Sequence, residues 1–162
     1  MLGGIHFFIG SALSLSLTKN IYFAFLIGFL SHHLADRLPH LDLNVLDEHR
    51  YKSIKNWDLK VWLIVTIEMI FFILLVFYFL NKLDFSLQKI AIFGGLGAIF
   101  PDIFTLVIKS FFSKLKIFNF YFNFHKNFHF KLKNKNYFLP ILIELILIVL
   151  GIILFLGANT NY

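Results

Sequence analysis

Most of the chemistry this sequence can offer lies in its seven histidines and a few aspartates. His32 and Asp36 are four residues apart, a spacing that puts both on one face of a helix. His33 and Asp36 are three apart and share another edge of that helix. His40 and Asp42 follow directly after Pro39. His125 and His129 repeat the four-residue spacing, by which two imidazoles on successive turns can hold one metal ion. His6 and Asp102 lie within or near apolar stretches. Imidazole nitrogen and carboxylate oxygen suit zinc, whose catalytic sites keep one position for water. Manganese and iron accept the same donors. The chain has no cysteine, so thiolate sites and disulfides are excluded. Each residue also has a plainer use. His33 is expected to pack beside the ligands rather than to bind, and His49 to be an ordinary wet histidine at an interface. Asp36, Asp42 and Asp102 can alternatively cap helices or pair with Arg37 and nearby lysines.

These residues must be positioned by elements of an unusual composition. Hydrophobic residues make up 59% of the chain and charged residues 15%. A soluble domain is roughly half apolar and about a quarter charged. The excess is gathered into runs, at 2–17, 21–38, 60–80, 87–108 and 137–156. The third run, at 1.5 Å per residue, reaches ~30 Å, the thickness of a bilayer's hydrocarbon core. The first is short for a full crossing. It has no charged stretch before it and no cleavage pattern, so it is expected to stay in the mature protein. Pro39 disfavours helix beyond 38. The fourth run holds Gly94, Gly95, Gly97 and Ala98, small residues that let helices approach closely in lipid. The 109–136 stretch is rich in Phe, Asn and Lys and is expected to lie along the interface. The expected architecture is therefore one all-α domain over residues 1–162. It is an integral membrane helical bundle of about five transmembrane or membrane-embedded helices. A weak internal echo runs through it: Gly28 precedes Asp36 by eight residues, and Gly94 precedes Asp102 by eight.

With five crossings, twelve of the fifteen basic residues share the side of the N-terminus, leaving Lys19, Lys82 and Lys89 on the other. Cytoplasmic loops carry the excess of Lys and Arg, which puts the N-terminus in the cytoplasm and the chain in an inner, cytoplasmic membrane. The same rule explains the net charge of +6 without invoking nucleic acid, which is not expected as a partner. By this topology every His and Asp group lies near the cytoplasmic face. Glu68 and Glu144 lie within spans, ~10–12 Å deep on that same side. A carboxylate there costs ~2.5 kcal/mol or more, so it should face protein or water. These two either line the inner wall of the site, or bridge His6, or are neutral glutamic acids hydrogen-bonded between helices.

The stretch Gly28-Phe-Leu-Ser-His-His-Leu-Ala-Asp-Arg-Leu-Pro-His-Leu-Asp42 resembles a motif of small bacterial membrane proteins, the membrane-bound metal-dependent hydrolases. That family is distantly similar to zinc-dependent phospholipase C. His6 with Gly10 looks like its N-terminal His motif, the segment from Gly94 to Pro101-Asp102 like its small-residue helix, and His125 with His129 like its later His pair. The resemblance covers most of the chain, through short motifs. It implies a metal site drawn from His6, His32, Asp36, His40, Asp42, Asp102, His125 and His129. His33 is an addition to the family pattern. Phe128-His129-Phe130 stands where better-known members have Thr-His-Ser, which removes a hydroxyl.

The leading expectation is a metal-dependent hydrolase with a His/Asp site at the cytoplasmic interface, acting on a phospholipid or other lipid-linked ester. Zinc is the expected metal, with manganese or iron as alternatives. Asp36 or Asp42 would act as ligand or general base. The alternatives are a transporter or ion-binding protein built on Glu68 and Glu144, which predicts a polar path to the far side, and a family member that binds metal without catalysis.

Overall fold

The computed structural model describes residues 3–40, 57–111, 118, 120, 121, 123 and 137–158, with backbone alone at 109 and 110. Among the described residues there are five long helices and no strand: α1 (Gly3–Leu17), α2 (Ile21–Ala35), α3 (Leu59–Leu80), α4 (Phe85–Phe111) and α5 (Phe138–Ala158).

Local chemistry sets the helix ends. The Asn20 side chain accepts the N–H groups of Tyr22 and Phe23 and so starts α2. Asp58 does the same for α3 through Val61 N–H, at 3.0 Å. α2 stops at Ala35, three residues short of the apolar run. Arg37 N–H donates to Leu34 O and Leu38 N–H to Ala35 O, a tightened turn that spends the last carbonyls before Pro39. That early stop turns Asp36 and His40 back toward the helix end. α4 is longer than its apolar run and passes through Pro101.

The fold is an all-helical membrane bundle. α3, α5 and α4 as far as Ile108 are long and apolar enough to cross a membrane. α1 and α2, with 15 residues each, reach only ~22 Å. α1 is the hub and packs against every other helix, whereas α2 packs on α1 and α4. The three-way seam of α1, α2 and α4 depends on glycine. A Cβ at Gly28 would land on the backbone of Gly94 and Ala98, and one at Gly97 on the backbone of Phe25. The two glycines of the Gly28/Gly94 echo therefore meet face to face. Close backbone approach of this kind replaces the missing hydrophobic drive between helices in lipid. On its other flank α1 presents Phe8, fully buried. Phe8 stacks on Phe155 of α5 at 5.4 Å and lies 5.9 Å from Phe72 of α3.

Candidate metal centre

His6 lies in the first turn of α1, and that turn is anchored from outside. α1 has no acidic residue in its first turn. Instead Glu68 of α3 reaches across, and its two oxygens accept the N–H groups of Gly4 at 3.1 Å and Ile5 at 3.0 Å. A carboxylate at this end satisfies orphan donors and opposes the positive end of the helix dipole. His32 sits in the last turn of α2, and Asp36 is its C-cap.

The two helix ends bring these three side chains together. His6 Nε2 is 3.1 Å from Asp36 Oδ1, and His32 Nε2 is 3.2 Å from Asp36 Oδ2. The two imidazole rings are 4.2 Å apart, tilted by 36°. One donor atom from each of His6, His32 and Asp36 lies within 4.8 Å of the others. All three are buried: 2%, 0% and 0% exposed. Zinc ligands at ~2.0–2.2 Å from the metal stand ~3.3 Å from one another in a tetrahedral site, so the spacing fits a small divalent cation.

His40 adds a third imidazole, the fourth side chain of the cluster. Its Nε2 lies 4.0 Å from Asp36 Oδ1, and its Nδ1 lies 2.7 Å from Leu38 O. A carbonyl only accepts, so Nδ1 carries the hydrogen and donates it. In the neutral ring the lone pair is then on Nε2, toward the cluster, which is the tautomer a metal requires. Asp102, one residue past Pro101 in α4, completes the group with Oδ1 3.7 Å from His32 Nε2. Its side chain is 33% exposed, in contrast to the sealed residues around it. The Tyr121 hydroxyl donates to Pro101 O at 3.3 Å, beside this open wall. Burial pushes the Tyr121 phenol up, which keeps it a donor.

Five of the eight residues expected as metal ligands thus meet at one place: His6, His32, Asp36, His40 and Asp102. Asp42, His125 and His129 lie outside the described residues, as does His49. His33 is buried and edge-on to both Phe29 and His32, at 4.9 and 5.2 Å between ring centres, and is not part of the three-donor group. Glu144 of α5 is half-buried and within electrostatic reach of Glu68. The sequence left Glu68 open between the inner wall of the site, a bridge to His6 and a hydrogen bond between helices; the structure shows it bonded across to the backbone of α1. The available signal was a helix opening on Gly3-Gly4 with no acid of its own, together with a carboxylate in the middle of an apolar span.

No family model matches the chain, no curated protein matches it, and no solved structure matches it.

Proposed function

We propose that this chain is a membrane-bound metal-dependent hydrolase of the family its motifs resemble, with zinc held by His6, His32 and Asp36 and joined by His40. The observation that carries the reading is the convergence of those three buried donors, from two helices, beside a partly exposed Asp102. A zinc ion in such a site supplies a bound water acidified to a pKa of ~7. Asp36 is engaged through both oxygens, so it orients the two imidazoles and binds rather than acting as a base. Asp102 is the carboxylate with access to the outside and takes the proton from water at the open side. Asp42, His125 and His129 belong to the proposal through the family resemblance alone.

The substrate we infer is an amphiphilic ester such as a phospholipid, because the site sits at the end of apolar helices whose flanking loops are basic. The same charge asymmetry favours the cytoplasmic membrane and a cytoplasmic N-terminus. A transport path draws less support. Among the described residues the buried polar side chains outside the His/Asp group are Ser11, Ser14, Ser31, His33 and Thr105, and Glu68 is occupied by the start of α1.

Metal analysis of the purified full chain tests the reading, with His32→Ala and Asp36→Ala as controls, each checked for helicity. Wild type should carry about one divalent ion per chain, and each variant should lose most of it. Hydrolysis of mixed anionic and neutral phospholipid vesicles then separates catalysis from a structural ion. A folded wild type that takes up no metal on resupply sinks the proposal.

A further inference from the structure

The Glu68 carboxylate does more than neutralise a buried helix end. It holds α1 at two points, one oxygen per N–H, on the two residues that immediately precede His6. Two-point attachment resists rotation of α1 about its own axis, which a single bond would permit. Side-chain tips lie ~5–6 Å from a helix axis, so a rotation of ~20° carries them ~2 Å. That shift is enough to separate His6 Nε2 from Asp36 Oδ1, now 3.1 Å apart.

The contact is built rather than incidental. A Cβ at Gly4 would fall 2.7 Å from Glu68 Oε1, 2.9 Å from its Cδ and 2.8 Å from the Phe72 ring. Gly4 is thus the residue that lets the carboxylate reach the backbone. Glu68 comes from α3, a helix whose surface is mostly exposed and which supplies no residue to the donor cluster. Both of its oxygens are engaged by the backbone of α1.

We propose that Glu68 is the positioning residue for His6: it fixes the rotation of α1, and so sets the affinity of the metal centre from a neighbouring transmembrane helix. This rests on the metal reading above. Groups that orient a metal ligand without touching the metal typically change affinity by about 10–100-fold when removed.

The test is a thermodynamic cycle on the full chain in detergent, with zinc affinity measured by chelator competition. Its four proteins are wild type, Glu68→Gln, His6→Ala and the double variant. Gln keeps the size of the side chain but turns an NH2 group onto one of the two N–H groups. Glu68→Gln should weaken zinc about tenfold or more beside an intact His6, and change nothing once His6 is absent, because the coupling passes through His6. An equal loss in both backgrounds makes Glu68 merely structural and overturns the proposal. Gly4→Ala, which pushes a methyl into the carboxylate, should reproduce the loss and replaces Glu68→Gln in the cycle if that variant does not fold. If His6→Ala binds zinc too weakly to titrate, cobalt(II) spectra decide. A changed ligand-field band in Glu68→Gln at saturation supports positioning, and an unchanged one overturns it. A wild type without metal sinks the metal reading and this coupling together. A metal-binding wild type with an additive cycle sinks the coupling alone.

Discussion

Helices α4 and α5 are both long and apolar enough to cross a bilayer, yet half of α4 is buried within the protein and only 17% of α5. α5 is the more apolar of the two, and α3, nearly as apolar, is 22% buried. In water this ordering would be reversed, with the most apolar helix deepest. In lipid, large aliphatic side chains are the surface, and the interior is marked by small and polar residues that allow close approach or hydrogen bonding. α4 is interior because of Gly94, Gly95, Gly97 and Ala98, not in spite of them. The His/Asp cluster follows the same division: its members come from α1, α2 and α4 and the turn after α2, while α3 contributes a brace and α5 a flank.

The strongest way to break that division is to exchange volume at one glycine of each kind. Gly28 faces the Gly94 and Ala98 backbone, whereas a Cβ at Gly157 meets nothing within 4 Å. Gly28→Leu has no flexible neighbour to displace and must separate α2 from α4, for a loss of ~3 kcal/mol or more. Gly157→Leu puts a side chain into open space near the end of α5 and should not destabilise the fold, helix propensity favouring it by up to about 1 kcal/mol. Unfolding of the purified proteins in mixed micelles with increasing SDS would rank them. Equal losses would mean that the glycine seam is not what holds α2 on α4.

A second contrast concerns charge rather than volume. Val149, near the middle of α5, is 55% exposed. Val149→Arg puts a guanidinium against lipid tails and should reduce insertion of α5 by ~2.5 kcal/mol, whereas Val149→Leu should be neutral. Apparent insertion free energies measured in microsomes check this. An arginine that inserts as readily as leucine would show that this face of α5 is covered by protein in the membrane, and not by lipid.

The residues that set the fold were legible in different degrees. The five helices were readable because their apolar runs are long and separated by polar stretches. Pro39 gave the right neighbourhood for the end of α2, but the helix stops at Ala35, because a tightened turn and not the proline itself closes it. The pairing of His32 with Asp36 followed from four-residue spacing. The meeting of His6 with that pair did not, since no local pattern says which face of α1 looks toward α2. Gly28 and Gly94 looked like a faint repeat in sequence and are a contact in space. Glu68 illustrates the limit most clearly. Its place inside an apolar run was readable, whereas its partners are backbone N–H groups that leave no side-chain trace in any sequence.

The finest test compares two serines on one helix. Ser14 and Ser16 of α1 each donate a hydrogen bond to a carbonyl, at 2.9 and 3.1 Å. Ser14 is buried and bonds Ala24 O of α2, so its hydroxyl ties two helices at the seam. Ser16 is exposed and bonds Ala12 O, four residues back on its own helix, an acceptor already used by the helix ladder. Interhelical hydrogen bonds in membrane bundles are worth ~0.6 kcal/mol on average and up to ~1.7. Ser14→Ala should therefore lose about 1 kcal/mol, and Ser16→Ala close to nothing, in the same SDS unfolding assay. The alanine methyl fits at both positions, so a difference between the two variants isolates the cross-helix bond from helix propensity, which favours Ala at both sites. If the two variants unfold alike, the α1–α2 seam is held by close packing alone, and the interior of this bundle is defined by size rather than by polarity.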